Sequence, residues 1–266
     1  MFGFVAFASV LGAFAVPAQA APLQEAYRVI VEPAGTLLVA DGHSGRIVRV
    51  NPQDGERTVV AAGLGRVSDV ALGPRGSVFA TSGSRVVRLS ATGAKRVVAR
   101  RLRSPIGLAV TASGSFYVAD SERNRVLRYT GGKRKIVASK GLDQPLGIAI
   151  GADGGVHVAD SHHGRIVRIR AGGKLQTVLK GLQLPVSLTG EPDGSLLIVD
   201  HVAHDQPGTI LRRRPDGALR VLSSGAITAL TSAAADPQGT TYATSFLPPY
   251  LGRLDATGTL QPLTRR

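Results

Sequence analysis

Residues 105–138 read PIGLAVTASGSFYVADSERNRVLRYTGGKRKIVA, and residues 144–181 read QPLGIAIGADGGVHVADSHHGRIVRIRAGGKLQTVLKG. In the first stretch, residues 105–110 are a short apolar run, 111–114 a turn ending in Gly114, and 115–119 a β-rich run closed by Asp120. A polar loop leads to a third run at 125–129, and the Gly131-Gly132 turn leads to a fourth at 135–138. The pattern of turn glycine followed six residues later by a closing Asp or Ser occurs six times. The closing residues are Asp41, Ser82, Asp120, Asp160, Asp200 and Ser245, at steps of 41, 38, 40, 40 and 45. A period near forty with β-rich runs and no helical periodicity predicts an all-β array of four-stranded units. Val, Ile, Phe and Tyr suit pleated buried surfaces, and the glycines supply the positive φ of tight hairpins.

The string Pro-x-Gly-Φ-Ala-Φ, then Val-Ala-Asp-Ser, then Arg-Φ-Φ-Arg resembles the NHL repeat. The match is close in the units around Asp120 and Asp160, good in GTLLVADGHSGRIVRV of the first unit, and partial in the other three. Together the units span residues 27–264. The resemblance implies a six-bladed β-propeller of four-stranded antiparallel blades, with a central channel and loops gathered on two faces. The first unit begins on its inner strand (27–31) and the last ends on its outer strand (258–263), so the ring is expected to close without strand exchange between the termini.

Residues 1–20 (MFGFVAFASVLGAFAVPAQA) carry no charge and end in Ala18-Gln19-Ala20, the small-x-small pattern of signal-peptidase cleavage. They are expected to be a signal peptide, leaving residues 21–266 as one propeller domain, periplasmic or secreted. An uncleaved anchor is the rival, since 20 apolar residues just span a bilayer. That segment is the only membrane contact expected. The chain has no cysteine, which excludes disulfides and thiolate chemistry. Its net charge of +14 attracts anions. An exported chain points that field at an anionic small molecule, an envelope polymer or a protein partner rather than at nucleic acid; a monomer is expected.

Asp41, Asp120 and Asp160 are followed five residues on by Arg46, Arg125 and Arg165. This spacing predicts loop-closing ion pairs whose carboxylates also accept loop amides, a scaffold role repeated in each blade. Arg49, Arg88, Arg128, Arg168 and Arg212 fall in outer strands, where a propeller places them on the rim as guards against edge pairing, and the best candidate for a basic patch is 95–103. Five of six histidines (His43, His162, His163, His201, His204) lie in loops between second and third strands, on one face. The loops of the fifth and sixth units depart from the template, one replacing the arginine partner with Thr209 and the other carrying Tyr250. These departures place a candidate ligand-binding site at His162, His163, His201, His204, Asp205 and Tyr250.

The chain is also similar to the gluconolactonase and regucalcin (SMP-30) propellers, a resemblance that implies one divalent metal ion held in the central channel by Glu, Asn and Asp near the starts of inner strands. The comparable positions are Ile106, Leu146 and Val186, whose side chains offer no oxygen donor, while Glu25 and Asp69 remain near the channel. Gly-x-Ser-x-Gly, His-Glu-x-x-His and phosphate-loop motifs are absent, so no catalytic residue is assigned. Two functions are therefore expected in order: a non-catalytic, exported binding module for an anionic ligand or partner, and a metal-assisted lyase or hydrolase, lactonase-like, at the channel.

Overall fold

A computed structural model describes residues 22–201 and 206–263. The expected signal peptide lies outside that range, as do His204 and Asp205. Six four-stranded antiparallel sheets follow one another along the chain, each with its strands in consecutive order. Blade one is β1 (Ala26–Val31), β2 (Leu37–Asp41), β3 (Arg46–Val50) and β4 (Arg57–Ala61); blade two is β5 (Val70–Leu72), β6 (Val78–Ser82), β7 (Arg85–Leu89) and β8 (Lys95–Ala99). Blade three is β9 (Pro105–Val110), β10 (Phe116–Asp120), β11 (Arg125–Thr130) and β12 (Lys133–Ala138), and blade four is β13 (Pro145–Ile150), β14 (Val156–Asp160), β15 (Arg165–Ile169) and β16 (Leu175–Lys180). Blades five and six are β17 (Leu184–Gly190), β18 (Leu196–His201), β19 (Pro207–Arg213) and β20 (Leu219–Thr228), then β21 (Leu230–Ala235), β22 (Thr241–Phe246), β23 (Pro249–Leu254) and β24 (Leu260–Pro262). The closing residues end, or nearly end, the second strand of each blade, as the repeat predicts.

A single sheet cannot bury both its faces, so stability comes from stacking neighbours. Six apolar clusters do this, one at each blade interface. The cluster of Leu37, Val39 and Val48 with Ala234, Tyr242 and Leu251 packs blade one against blade six and closes the ring. Each blade pairs only its own strands, so closure is by packing without strand exchange. Between blades two and three Phe79 lies tilted against Phe116, with ring centroids 5.4 Å apart, and Phe116 stacks on Tyr129 at 4.7 Å. Each such buried side chain contributes about 1.5–3 kcal/mol relative to exposure.

The Asp–Arg pairs form as expected: Asp41 to Arg46 at 2.6 Å, Asp120 to Arg125 at 2.7 Å and Asp160 to Arg165 at 2.7 Å. Their amide partners differ from the expectation. Asp120 Oδ1 accepts the amides of Arg103 and Ser104, and Asp41 Oδ1 those of Gln24 and Glu25. Those amides belong to the segment entering the inner strand, about sixteen residues upstream, rather than to the loop itself. The carboxylate thus ties the end of the second strand to the incoming chain. Where serine replaces it, polarity reverses: Ser245 Oγ donates to the Thr228 carbonyl at 2.9 Å, and Ser82 Oγ donates to that of Leu64.

The third-strand arginines are also tethers rather than edge guards, because the edge strands are the fourth ones. Arg49, Arg168 and Arg212 pair with Glu32, Asp153 and Glu191, acids of the turn between the first two strands. Arg88 and Arg128 lie instead over the rings of Phe79 and Tyr117, each 5.7 Å from the centroid.

Candidate functional site

Cross-strand register identifies which inner-strand residues are equivalent around the ring. Val29, Val70, Leu108, Ile148, Leu188 and Ala233 each face the residue two before the closing position. The residue before each of these is Arg28, Asp69, Gly107, Gly147, Ser187 and Ser232. In blades three and four glycine is required by close approach. A Cβ on Gly147 would lie 2.7 Å from the Leu188 amide nitrogen and 2.9 Å from Ser187 Cα, and one on Gly107 would strike the Leu146 carbonyl. In the other four blades the same position holds an ion pair and two hydroxyls.

Arg28 is buried, and its Nε lies 3.2 Å from Asp69 Oδ1 in the neighbouring blade. Its Nη1 donates to Ser187 Oγ at 2.7 Å, reaching across to blade five, and to Ser232 Oγ at 3.4 Å in blade six. Asp69 accepts the Val70 and Leu108 amides, both at 2.7 Å, the second from blade three. Burial pushes the Asp69 carboxyl up to about 6, outweighing the Arg28 charge and the two amides that favour ionisation.

Above this pair opens a cavity of about 190 Å³ at the channel mouth, on the face where second strands end. Ile106, Leu146 and Val186 form one wall, and Tyr27 and Phe246, stacked with centroids 5.8 Å apart, form part of another. Thr231 and His201 add polar groups. Arg66 stands at the rim, donating to Tyr27 Oη at 2.6 Å with its guanidinium carbon 5.3 Å from that ring. The cavity is apolar along its sides and cationic or hydrogen-bonding at its floor and rim. That combination suits a small molecule with an apolar body and one anionic end.

Of the described residues expected in the site, only His201 lines this cavity; it is buried at the end of β18, with Nε2 against the Leu230 carbonyl. His162 lies 3.5 Å from Asp143 and His163 2.9 Å from Asp160, both about half exposed, within the latch of blade four. Tyr250 donates to the Leu260 carbonyl at 3.0 Å and packs between blades five and six. The structure does not bring these three to the cavity. Glu25 does not line it either; its amide serves Asp41. Sequence reading kept Asp69 but missed Arg28, which the blade register would have aligned with Gly107 of the Pro-x-Gly motif.

The donor set does not fit the divalent ion implied by the lactonase-like resemblance. Ile106, Leu146 and Val186 line the cavity as apolar walls. Asp69 is engaged by a guanidinium and two amides. Among the described residues no group of three or more His, Cys, Asp or Glu converges on one point.

The NHL repeat profile matches residues 102–129, in the third blade. No curated protein matches the chain. Among solved structures, it is similar to the virginiamycin B lyase of Staphylococcus aureus, with TM-score 0.67 and 17% identity over 91% of this chain and 85% of that one. A gluconolactonase from Xanthomonas campestris matches with TM-score 0.70 and 17% identity over 84% and 83%. A calcium-binding regucalcin from Agrobacterium tumefaciens matches with TM-score 0.64 and 17% identity, also over 84% and 83%. At such identities the likeness is one of fold. The chain is a six-bladed β-propeller carrying an NHL repeat, on a scaffold that other proteins use for a lyase, a lactonase and calcium binding.

Proposed function

We propose that the chain is an exported, non-catalytic propeller that binds a small anionic molecule with an apolar body at its channel mouth. The observation that carries this reading is the buried Arg28–Asp69 pair set beneath an apolar cavity. A buried ion pair is weak support for folding, since apolar residues of similar volume are often as stable or more so. Placing one at the floor of a cavity instead provides a fixed charge for a ligand. Arg66 at the rim and the overall charge of +14 favour the anionic end, and Ile106, Leu146, Val186 and Phe246 favour the apolar body. Residues 1–20 supply the export reading, and cleavage after Ala20 is checked by the mature N-terminus in mass spectrometry.

The test uses 2-naphthoate, an aromatic ring bearing one carboxylate, in calorimetric titration. Wild type is expected to bind one equivalent. Leu146→Glu, which sets a carboxylate in the wall, is expected to abolish binding without lowering the melting temperature appreciably. Unchanged affinity in that variant would remove the cavity from the reading.

A second reading, a lyase or hydrolase at the same cavity, is favoured by Asp69 alone. A carboxyl pushed up to about 6 is suited to proton transfer near neutral pH. Turnover of a lactone or cyclic ester by wild type, lost in Asp69→Asn, would establish it over simple binding.

A further inference from the structure

The chain's charge is not spread around the ring. Residues 85–140 hold fourteen Lys and Arg against two Asp and Glu, a net of +12 out of the chain's +14. All fourteen but Arg125 are exposed, whereas Asp120 is fully buried in its latch and Glu122 pairs with Arg103 at 2.7 Å. Eight of the exposed cations (Arg85, Arg88, Lys95, Arg96, Arg128, Lys133, Arg134 and Lys135) lie on the third and outer strands of blades two and three, β7, β8, β11 and β12, which present a nearly unopposed cationic wall over about a third of the ring. The contrast with other blades is local and chemical. The third-strand arginines of blades one, four and five face turn acids, but the positions matching Glu32 and Glu191 are Gly73 and Thr111 in blades two and three, and those matching Asp153 are Arg75 and Ser113.

At its blade-four end the wall runs into an open groove of about 650 Å³, lined by Tyr117, Arg128, Lys135, Arg168 and Arg170, with Gly154 and Gly155 among its lining residues and no acidic residue. We propose that this wall and groove are a docking surface for an acidic polysaccharide, a linear chain bearing carboxylate or sulfate groups on its sugars. Five of these eight cations are arginine, whose planar fork pairs with carboxylate and sulfate oxygens two at a time. Gly154 and Gly172 of the groove, with open space where a Cβ would stand, offer bare backbone to the flat apolar face of a sugar ring, which a bare polyphosphate lacks. A linear chain follows the curved outer wall of the propeller. A bilayer is disfavoured by the same curvature and by the scarcity of apolar anchors, Ile136 being the one exposed large hydrophobic residue of the wall.

The test measures heparin binding by full-length protein across a salt series. Arg96→Ser with Lys133→Ser and Lys135→Ser removes three exposed cations of the wall, and Lys180→Ser with Arg220→Ser and Arg253→Ser removes three from blades four to six. The wall variant is expected to lose about tenfold in affinity near 0.15 M salt, with its log–log salt slope reduced by about two, and the control to change less than about twofold. Unchanged melting temperatures confirm folding in both. Equal losses in the two variants, or none, would overturn the surface. Equal or tighter binding of polyphosphate, polyglutamate or phosphatidylglycerol vesicles than of heparin would overturn the polysaccharide assignment.

Discussion

Two sectors of the channel ring, one of two blades and one of four, use one backbone position in opposite ways. In blades three and four it is Gly107 and Gly147, and the inner strands close to contact, leaving no room for a Cβ. In blades one, two, five and six it is Arg28, Asp69, Ser187 and Ser232, and these side chains meet across the axis. The glycine sector follows the NHL template and serves assembly. The polar sector departs from it, and the cavity opens above that departure. In a repeat protein, function is thus to be sought where equivalent positions disagree, rather than where each blade repeats its neighbour.

The largest effect expected is on the polar sector. Asp69→Ala leaves Arg28 as a buried unpaired cation and should cost about 3–5 kcal/mol in urea unfolding. The pH dependence follows from the same group. Its folded-state carboxyl is pushed up to about 6 from an ordinary value of 3.8, so the folded protein holds a proton that the unfolded chain has released. Stability from Asp69 should therefore be greatest below about pH 4 and fall by about 2–3 kcal/mol as pH rises to about 6, a slope absent in Asp69→Asn. Affinity for 2-naphthoate should run in the same direction, strengthening as pH falls through 6, because the carboxylate that competes for Arg28 is then neutral.

The glycine sector should respond sterically, in stability. Gly147→Ala forces a methyl against the Leu188 and Ser187 backbone and should cost about 1–3 kcal/mol. The latches give an effect of similar size, since Asp120→Ala strands Arg125 and two amides at about 1–3 kcal/mol. Lost binding in Asp120→Ala at unchanged stability would reassign that residue to function. His162→Ala should be smallest, within about 0.5 kcal/mol and with binding intact, because that ring is half exposed.

Most of the scaffold was legible in the chain. The forty-residue period set blade number, and the five-residue Asp–Arg spacing set the latches, because both depend on contacts local in sequence. The amides those latches hold were not legible, since they arrive from about sixteen residues upstream. At the channel, apolar Ile106, Leu146 and Val186 were read correctly from Pro-x-Gly and its variants, whereas Arg28 was hidden because blade one lacks that motif. The partners of the loop histidines were not legible either, because contacts in three dimensions cannot be seen in sequence. His162 and His163 answer to Asp143 and Asp160 of their own blade.

The central claim is that the Arg28–Asp69 pair is kept for a ligand and not for the fold. Replacing it whole, as Arg28→Met with Asp69→Leu, separates the two roles, because no buried charge is left unpaired. Calorimetric titration of the double variant with 2-naphthoate, alongside urea unfolding, should show lost binding at a cost in stability smaller than that of Asp69→Ala, because the Val70 and Leu108 amides lose their acceptor but no charge is stranded. Wild-type affinity in a markedly less stable protein would contradict the account and return the pair to the scaffold.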